Sequence, residues 1–296
     1  MTSPLAQDRS ALRKREVASL AEKVCLPFRS RAWRGSSGTW HGRNQGSSID
    51  FQDHRAYAPG DDPRHIDWAA YARTNNYIMK LFREEVSLRV DLVLDVSGSM
   101  SLTPEKEERG LDLFTLVSSV ALQDGISLRA YAAHSAGRWR RLDTGADLTP
   151  EFLSGFGSSD SKGGQIPLGE IPWRPGSLRI LISDLLVPQP PERELAQLGR
   201  EQGRAVIIAP YLQSEADPDW NGNQEFLDCE TRRIRQQRVE PYLLARYRKN
   251  YQRHFELWQQ EARRRGVPLA RISCEPPLGM AVRQQALPEG AFEVRH

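Results

Sequence analysis

Short apolar runs alternate with amphipathic stretches over most of the chain, and this alternation predicts the fold class. Runs long enough for one strand lie at 90–95, 127–133, 178–183, 205–209 and 269–273. Stretches with apolar residues at helical spacing lie between or beside them, at 107–122, 191–202 and 240–265. Strands that alternate with helices favour a mostly parallel sheet with helices on both faces. The pattern therefore predicts a doubly wound α/β protein.

The segment 49–73 has a different pattern, because charged residues of both signs surround a Pro-Gly turn at 59–60. Arg55, Arg64 and Arg73 alternate there with five aspartates. Arg and carboxylate groups form bidentate pairs of fixed geometry. We expect such pairs to hold this segment, with Trp68 packed on the main domain.

Composition limits which cellular compartment and which class of partner are expected for the chain. The 296 residues contain 41 Lys and Arg and 38 Asp and Glu, so the net charge of +3 gives no argument for nucleic acid or an anionic membrane. The three cysteines are far apart and lack the spacing of a metal site, which favours a reducing compartment. No apolar run approaches the roughly 18 residues of a membrane span, and no signal segment is evident. We expect a soluble, cytoplasmic protein.

Candidate chemistry lies directly after the apolar run that ends at Leu94. Asp95, Ser97 and Ser99 alternate in a short loop, and their side chains offer the hard oxygen donors that Mg²⁺ prefers. Asp184 follows a later strand, and the carboxyl ends of parallel strands meet at one edge of a sheet. These four residues form a predicted Mg²⁺ or Mn²⁺ site. A second interpretation is a strand-end turn in which Asp95 accepts backbone N–H groups without a metal.

These residues resemble two known families. Asp95-x-Ser97-x-Ser99, with Asp184 after a later strand, resembles the metal-ion-dependent adhesion site of von Willebrand factor A domains. The block 55–73, with Pro-Gly-Asp-Asp-Pro ahead of Asp67-Trp68, resembles the signature of the bacterial domain-of-unknown-function family 58. The segment 227–231 and a long helix with Tyr247 and His254 are also similar to that family.

The resemblance implies a von Willebrand factor A-like domain at 86–296, with an N-terminal extension at 1–85 that packs on it. It also implies a non-enzymatic protein–protein interaction module without catalytic residues, which works with a MoxR-type AAA+ ATPase in protein assembly or remodelling. The sequence departs from the adhesion-site pattern at Gln165, where a metal-binding Thr is expected. The Gln165 amide oxygen, or one of Ser158, Ser159 and Ser161, is then the substitute ligand.

Two other classes of function stay open at this stage. One is a metal-dependent hydrolase that uses Asp95, Asp184 and the cluster of Asp61, Asp62 and His65. A two-metal hydrolase needs several carboxylates or histidines around ions about 4 Å apart, and the Asp95 loop offers hydroxyls instead. The other is nucleic-acid binding through the Arg-rich helix at 240–265, although a solvated basic face is the commoner explanation of such a pattern.

Overall fold

The structure is a computed structural model that describes residues 4–28, 49–58, 63–84, 88–143, 165–229 and 233–295. These residues divide into two compact units. The first comprises the described residues of Met1–Trp33 and Leu88–His296, and the second those of Arg34–Ser87. The N-terminal helix therefore groups with the main unit, whereas the sequence analysis places it in the 1–85 extension.

Strands and helices alternate along most of the main unit. The helices that the structure describes are α1 (Pro4–Ala21), α2 (Trp68–Thr74), α3 (Pro104–Gln123), α4 (Pro191–Leu198), α5 (Gln213–Ala216), α6 (Pro241–Arg264) and α7 (Leu278–Ala281). The strands are β1 (Val24–Cys25), β2 (Ile49–Ala56), β3 (Ile78–Glu84), β4 (Arg89–Asp95), β5 (Ser127–His134), β6 (Arg138–Leu142), β7 (Leu178–Ile182), β8 (Arg204–Tyr211), β9 (Gly222–Leu227), β10 (Ile234–Val239), β11 (Leu269–Ser273) and β12 (Glu293–Val294).

A six-stranded sheet forms the centre of the main unit, in the order β11-β8-β7-β4-β5-β6. All neighbours pair in parallel except β6, which is antiparallel to β5. This confirms the predicted mixed α/β fold with a mostly parallel sheet, and each of the five predicted strands lies in it. The chain continues from β4 to β5 on one side and later returns to β7 on the other. The gap between the ends of β4 and β7 is thus the topological switch point, where α/β proteins place their sites.

Strand β4 is apolar on both faces because two cores cover the sheet. Val90, Leu92 and Leu94 belong to the core on the face of α3, and Val93 belongs to the core on the face of α6. Successive side chains of a strand point to opposite faces, so a continuous apolar run suits a sheet that is covered on both sides. Helices α3, α4 and α6 lie near the predicted positions, although α4 ends at Leu198 rather than at residue 202.

One charged residue, Asp91, interrupts this apolar run and is fully buried. Its carboxylate accepts hydrogen bonds from Arg174 Nε at 2.7 Å, Arg174 N at 2.9 Å and Ser177 Oγ at 2.7 Å. Buried charges persist in proteins when they are paired and hydrogen-bonded. Asp91 therefore ties the loop before β7 to the middle of the sheet.

The second unit contains the antiparallel pair of β2 and β3 and the short helix α2. Asp67 caps α2, since its Oδ1 accepts from the backbone N–H groups of Ala69 and Ala70 at 3.1 and 3.0 Å. Trp68 has 59% of its surface exposed, and its expected packing on the main domain stays a prediction. The Arg55 side chain lies outside the described part of the structure, and the Arg–carboxylate lattice stays a prediction.

The two ends of the described chain are joined by a short antiparallel pair. Val24 of β1 lies opposite Val294 of β12, and Arg295 N donates to Lys23 O at 2.9 Å. Nearby, α1 is fixed to α3 through Arg13, whose Nη2 lies 2.8 Å from Asp112 Oδ1. No helix in the part of the chain that the structure describes is both long and apolar enough to cross a bilayer.

Candidate metal centre

The candidate centre lies at the switch point, because Asp95 ends β4 and Asp184 follows the neighbouring strand β7. Leu94 and Ile182 are partners in the parallel register of these two strands. Asp95, Ser97, Ser99 and Asp184 each have less than a tenth of their surface exposed. The fold thus brings the two predicted carboxylates to the same edge of the sheet.

The loop 95–99 is a tight turn that gathers its polar side chains. Asp95 Oδ1 accepts from the backbone N–H of Ser97 at 2.9 Å, and the two serine hydroxyls lie 3.1 Å apart. Octahedral Mg²⁺ with bonds of about 2.1 Å separates adjacent ligand oxygens by about 3 Å. The two hydroxyls are hydrogen-bonded to each other, and their distance also equals the spacing of two neighbouring ligands. The bond from Ser97 N to Asp95 is also what a turn without metal requires, so both interpretations of the loop keep this contact.

Ser183 is a partner of Asp95 that the sequence analysis missed. Its Oγ donates to Asp95 Oδ2 at 2.6 Å and also accepts from the backbone N–H of Leu185 at 3.1 Å. The signal for this role was its position, since Ser183 stands at the carboxyl end of the strand beside β4. Both oxygens of the Asp95 carboxylate are thus oriented by hydrogen bonds.

Burial raises the pKa of Asp95 to about 7, and the charge of nearby Asp184 adds to this effect. Hydrogen bonds from Ser183 and Ser97 act in the opposite direction and lower the pKa, but they are the smaller contributions. The protein thus carries at neutral pH a buried carboxylate that is costly to ionise. A cation at this position would remove that cost.

Lys106 of α3 is the second feature that the sequence analysis missed. Its ammonium is fully buried and lies 2.7 Å from Asp184 Oδ2 and 2.5 Å from Glu215 Oε1. Burial alone would lower the pKa of Lys106, but the charges of Asp184 and Glu215 outweigh it and raise the pKa above its usual value. The lysine is therefore charged and links α3, the end of β7 and α5.

A signal for Lys106 was present in the sequence. It stands in the first turn of α3, after the cap Thr103 and Pro104. A positive charge near a helix N-terminus is disfavoured by the helix dipole, so a lysine there indicates a carboxylate partner elsewhere in the fold. The partners are 78 and 109 residues away in sequence, and helix periodicity carries no information about them.

The backbone after Asp184 has an unusual conformation that α6 supports. Leu185 is fully buried and has φ of +59°, in the left-handed region that branched and bulky residues rarely adopt. His254 Nε2 of α6 lies 2.8 Å from Leu185 O, so this nitrogen carries the proton and donates. Asp184 Oδ1 accepts from Leu186 N at 3.0 Å. Strained residues of this kind concentrate at functional sites.

The remaining predicted ligands stay predictions, because the contacts that the structure gives Gln165 are those of its backbone. Gln165 forms an isolated bridge with Ala136, and its N–H donates to Ser135 O at 3.2 Å. Ser158, Ser159 and Ser161 lie outside the described residues, as do Asp61, Asp62 and the side chain of His65. Over the ranges that the structure does describe, no three His, Cys, Asp or Glu side chains form a metal-binding group. The candidate centre differs from such a group, because two of its proposed donors are serine hydroxyls.

The donor set suits a divalent cation in charge as well as in spacing. The carboxylates of Asp184 and Glu215 contact the ammonium of Lys106, and the carboxylate of Asp95 lies near that of Asp184. With Asp95 ionised, the group carries a formal charge of −2. Asp95, Ser97 and Ser99 would hold Mg²⁺ directly, while Lys106 already neutralises part of the charge of Asp184.

The fold and this edge of the sheet define a class of protein: a mixed α/β protein with a polar, acidic site at the switch point of a mostly parallel sheet. The model of the family described as "Protein of unknown function DUF58" matches residues 53–131. The matched segment contains both the Pro59-Gly60 sequence and the complete Asp95 loop. Over this segment the chain is similar to that family, as the sequence analysis expected.

Two solved structures are also similar to the chain. One is a conserved hypothetical protein BatB from Bacteroides thetaiotaomicron, with 12% identity and a TM-score of 0.29 over 60% of this chain and 98% of that chain. The other is an aerotolerance-related membrane protein from Bacteroides fragilis, with 12% identity and a TM-score of 0.27 over 58% and 99%. The search of curated proteins gave no match.

Proposed function

We propose that this chain is a non-enzymatic protein-interaction module whose von Willebrand factor A-like domain binds a partner through Mg²⁺ or Mn²⁺ at Asp95, Ser97 and Ser99. The bound ion would supply a positive centre for an acidic side chain of the partner. The protein's own residues would hold that centre at an edge of the sheet. Asp184 would contribute from the adjacent strand.

The observation that carries this proposal is the combination of geometry and charge at the Asp95 loop. Three oxygen-bearing side chains converge there, with the hydroxyls of Ser97 and Ser99 3.1 Å apart. The Asp95 carboxylate is buried, and within the described residues its hydrogen bonds come from Ser97 and Ser183 rather than from a basic side chain. Buried charges are normally paired or bound to metal. A divalent ion would satisfy this carboxylate.

The partner in the proposal is a MoxR-type AAA+ ATPase. Its support is the resemblance of the block 55–73 to domain-of-unknown-function family 58, together with the family match at 53–131. The process would be the assembly or remodelling of other proteins by the pair.

The test is capture of the ATPase by the purified protein, with Mg²⁺ and with chelator. Asp95→Ala should abolish both calorimetric Mg²⁺ binding and capture, while circular dichroism shows a retained fold. Asp217→Ala is the matched control, since Asp217 is a half-exposed carboxylate that pairs with Arg248 at the surface. Capture by Asp95→Ala in chelator at the wild-type level would contradict the proposal.

A further inference from the structure

Lys106 places a fixed positive charge inside the candidate centre. Its ammonium is fully buried, and the hydrogen bonds that it donates within the described residues go to Asp184 Oδ2 at 2.7 Å and to Glu215 Oε1 at 2.5 Å. The other Glu215 oxygen accepts from Leu212 N at 2.9 Å, and the other Asp184 oxygen accepts from Leu186 N. Both carboxylates are therefore fully oriented by the chain itself.

This arrangement separates the acidic residues of the centre into two groups. Asp184 and Glu215 have a cation of the protein's own, whereas Asp95 is hydrogen-bonded by the neutral groups of Ser97 and Ser183. A buried carboxylate that already contacts an ammonium gains less from a metal ion than one that contacts only neutral donors. Asp95 is therefore the carboxylate of the centre that a divalent ion would stabilise most.

We propose that Lys106 is a built-in cation that balances Asp184 and Glu215, which makes Asp184 a positioning residue and leaves Asp95, Ser97 and Ser99 as the direct ligands of the divalent ion. The proposal rests on the metal-dependent function proposed above. In this proposal Lys106, and not the metal ion, neutralises the charge of Asp184. Without the ammonium, added divalent ions should therefore be needed to neutralise that carboxylate.

The test is the dependence of thermal stability on divalent ions in Lys106→Met, which keeps the length of the side chain and removes its charge. In chelator its Tm should fall by about 10 °C, because a buried pair loses one partner. Addition of 5 mM Mg²⁺ or Mn²⁺ at about pH 7.5 should restore at least half of that loss, and the affinity for Mn²⁺ should rise at least tenfold over wild type. A lysine with only a packing role would give the loss of Tm without recovery by ions, which would overturn the proposal.

Two further variants keep the test decisive. Lys106→Met/Glu215→Gln removes one charge of each sign, so it should regain most of the Tm in chelator and return to wild-type affinity for Mn²⁺. Lys249→Met removes an exposed lysine from α6 and should change neither quantity. If Lys106→Met does not fold with or without metal, the double variant decides: a folded double variant supports the proposal, and an unfolded one overturns it.

The outcome also separates this inference from the proposed function. If wild type binds no divalent ion while Lys106→Met becomes stabilised by one, the role of Lys106 as a cation stands and the metal-dependent function falls. If wild type binds Mg²⁺ through Asp95 and Lys106→Met shows no added response to ions, the function stands and the role of Lys106 falls.

Discussion

At the scale of single residues, Asp95 has two opposite effects in the candidate centre: it destabilises the fold without metal and favours the binding of a divalent ion. Burial and the charge of Asp184 raise its pKa to about 7, so ionised Asp95 destabilises the metal-free fold. The same ionised group is the carboxylate that a divalent ion requires. The same side chain thus lowers the stability of the metal-free protein and raises its affinity for a divalent ion.

We expect Asp95→Asn to separate these two effects. In chelator at pH 8 the variant should be at least as stable as wild type, because the buried amide has no charge to desolvate and keeps an acceptor for Ser97 N. Its Tm should not respond to Mg²⁺, whereas the Tm of wild type should rise. Differential scanning calorimetry of both proteins with and without Mg²⁺ measures this, and a Mg²⁺ response equal to that of wild type would contradict it.

The pair of Arg174 and Asp91 gives a second prediction at this scale. Arg174→Met leaves the fully buried Asp91 carboxylate without its charged partner, which should lower the free energy of unfolding by about 3–5 kcal/mol. Urea denaturation measures the change. The control is Arg238→Met, because Arg238 is largely exposed and lies 3.8 Å from Glu240, and its loss should cost at most about 0.5 kcal/mol. Similar losses for both variants would show that burial of Asp91 is not the cause.

At the scale of elements, a buried guanidinium packs against the junction between the Arg200–Gln202 turn and β8. Arg179 is fully buried, lies over the Trp173 ring at 4.9 Å and donates through Nη1 to the carbonyl of Leu198 at 3.1 Å. A Cβ atom built on Gly203 would lie 2.4 Å from its Cζ. The absence of a side chain at residue 203 is what lets β8 start so close to Arg179.

Gly203→Ala should therefore displace the Arg179 guanidinium and lower the free energy of unfolding by about 1–3 kcal/mol. Gly199→Ala, four residues earlier, meets no atom closer than 3.5 Å and should change it by less than about 1 kcal/mol. Chemical denaturation of the two variants side by side is the measurement. Equal stability of the two would indicate that Arg179 moves aside without cost.

The elements also show what the sequence could and could not predict. The five parallel strands of the main sheet and helices α3, α4 and α6 were predictable, because burial on two faces leaves continuous apolar runs and burial on one face leaves helical spacing. The convergence of Asp95 and Asp184 followed from the rule that sites lie at strand ends. The partners of Lys106 were not predictable, since its contact with Glu215 depends on how α3 and α5 approach β7. The same holds for Arg174, which reaches Asp91 across 83 residues.

At the scale of the whole molecule, a second buried acid makes stability depend on pH. Glu194 of α4 is 2% exposed, and within the described residues neither of its carboxylate oxygens accepts a hydrogen bond. Burial raises its pKa to about 7. The folded protein therefore holds a proton on Glu194 at pH values where the unfolded chain, with a pKa near 4.5, has released it.

The sign of the effect follows from this difference in bound protons. The contribution of Glu194 is complete below about pH 4.5 and is lost as the pH rises through about 7, up to about 3 kcal/mol in total. Because Asp95 acts in the same direction, the comparison is best made between Asp95→Asn and Asp95→Asn/Glu194→Gln. In chelator the first should lose stability from pH 5 to 8 more steeply than the second. Parallel profiles would contradict the assignment to Glu194.

The pairing of β1 with β12 has a consequence for how the chain folds as it is made. The main sheet starts with β4 and later gains β7, β8 and β11 on one side, so it can grow while synthesis continues. Val24, in contrast, meets its partner only when Val294 has left the ribosome, 270 residues later. Strand β1 therefore has no strand partner while the main sheet is being made. We expect it to become protected later than the main sheet, and to be open to chaperones until β12 is available.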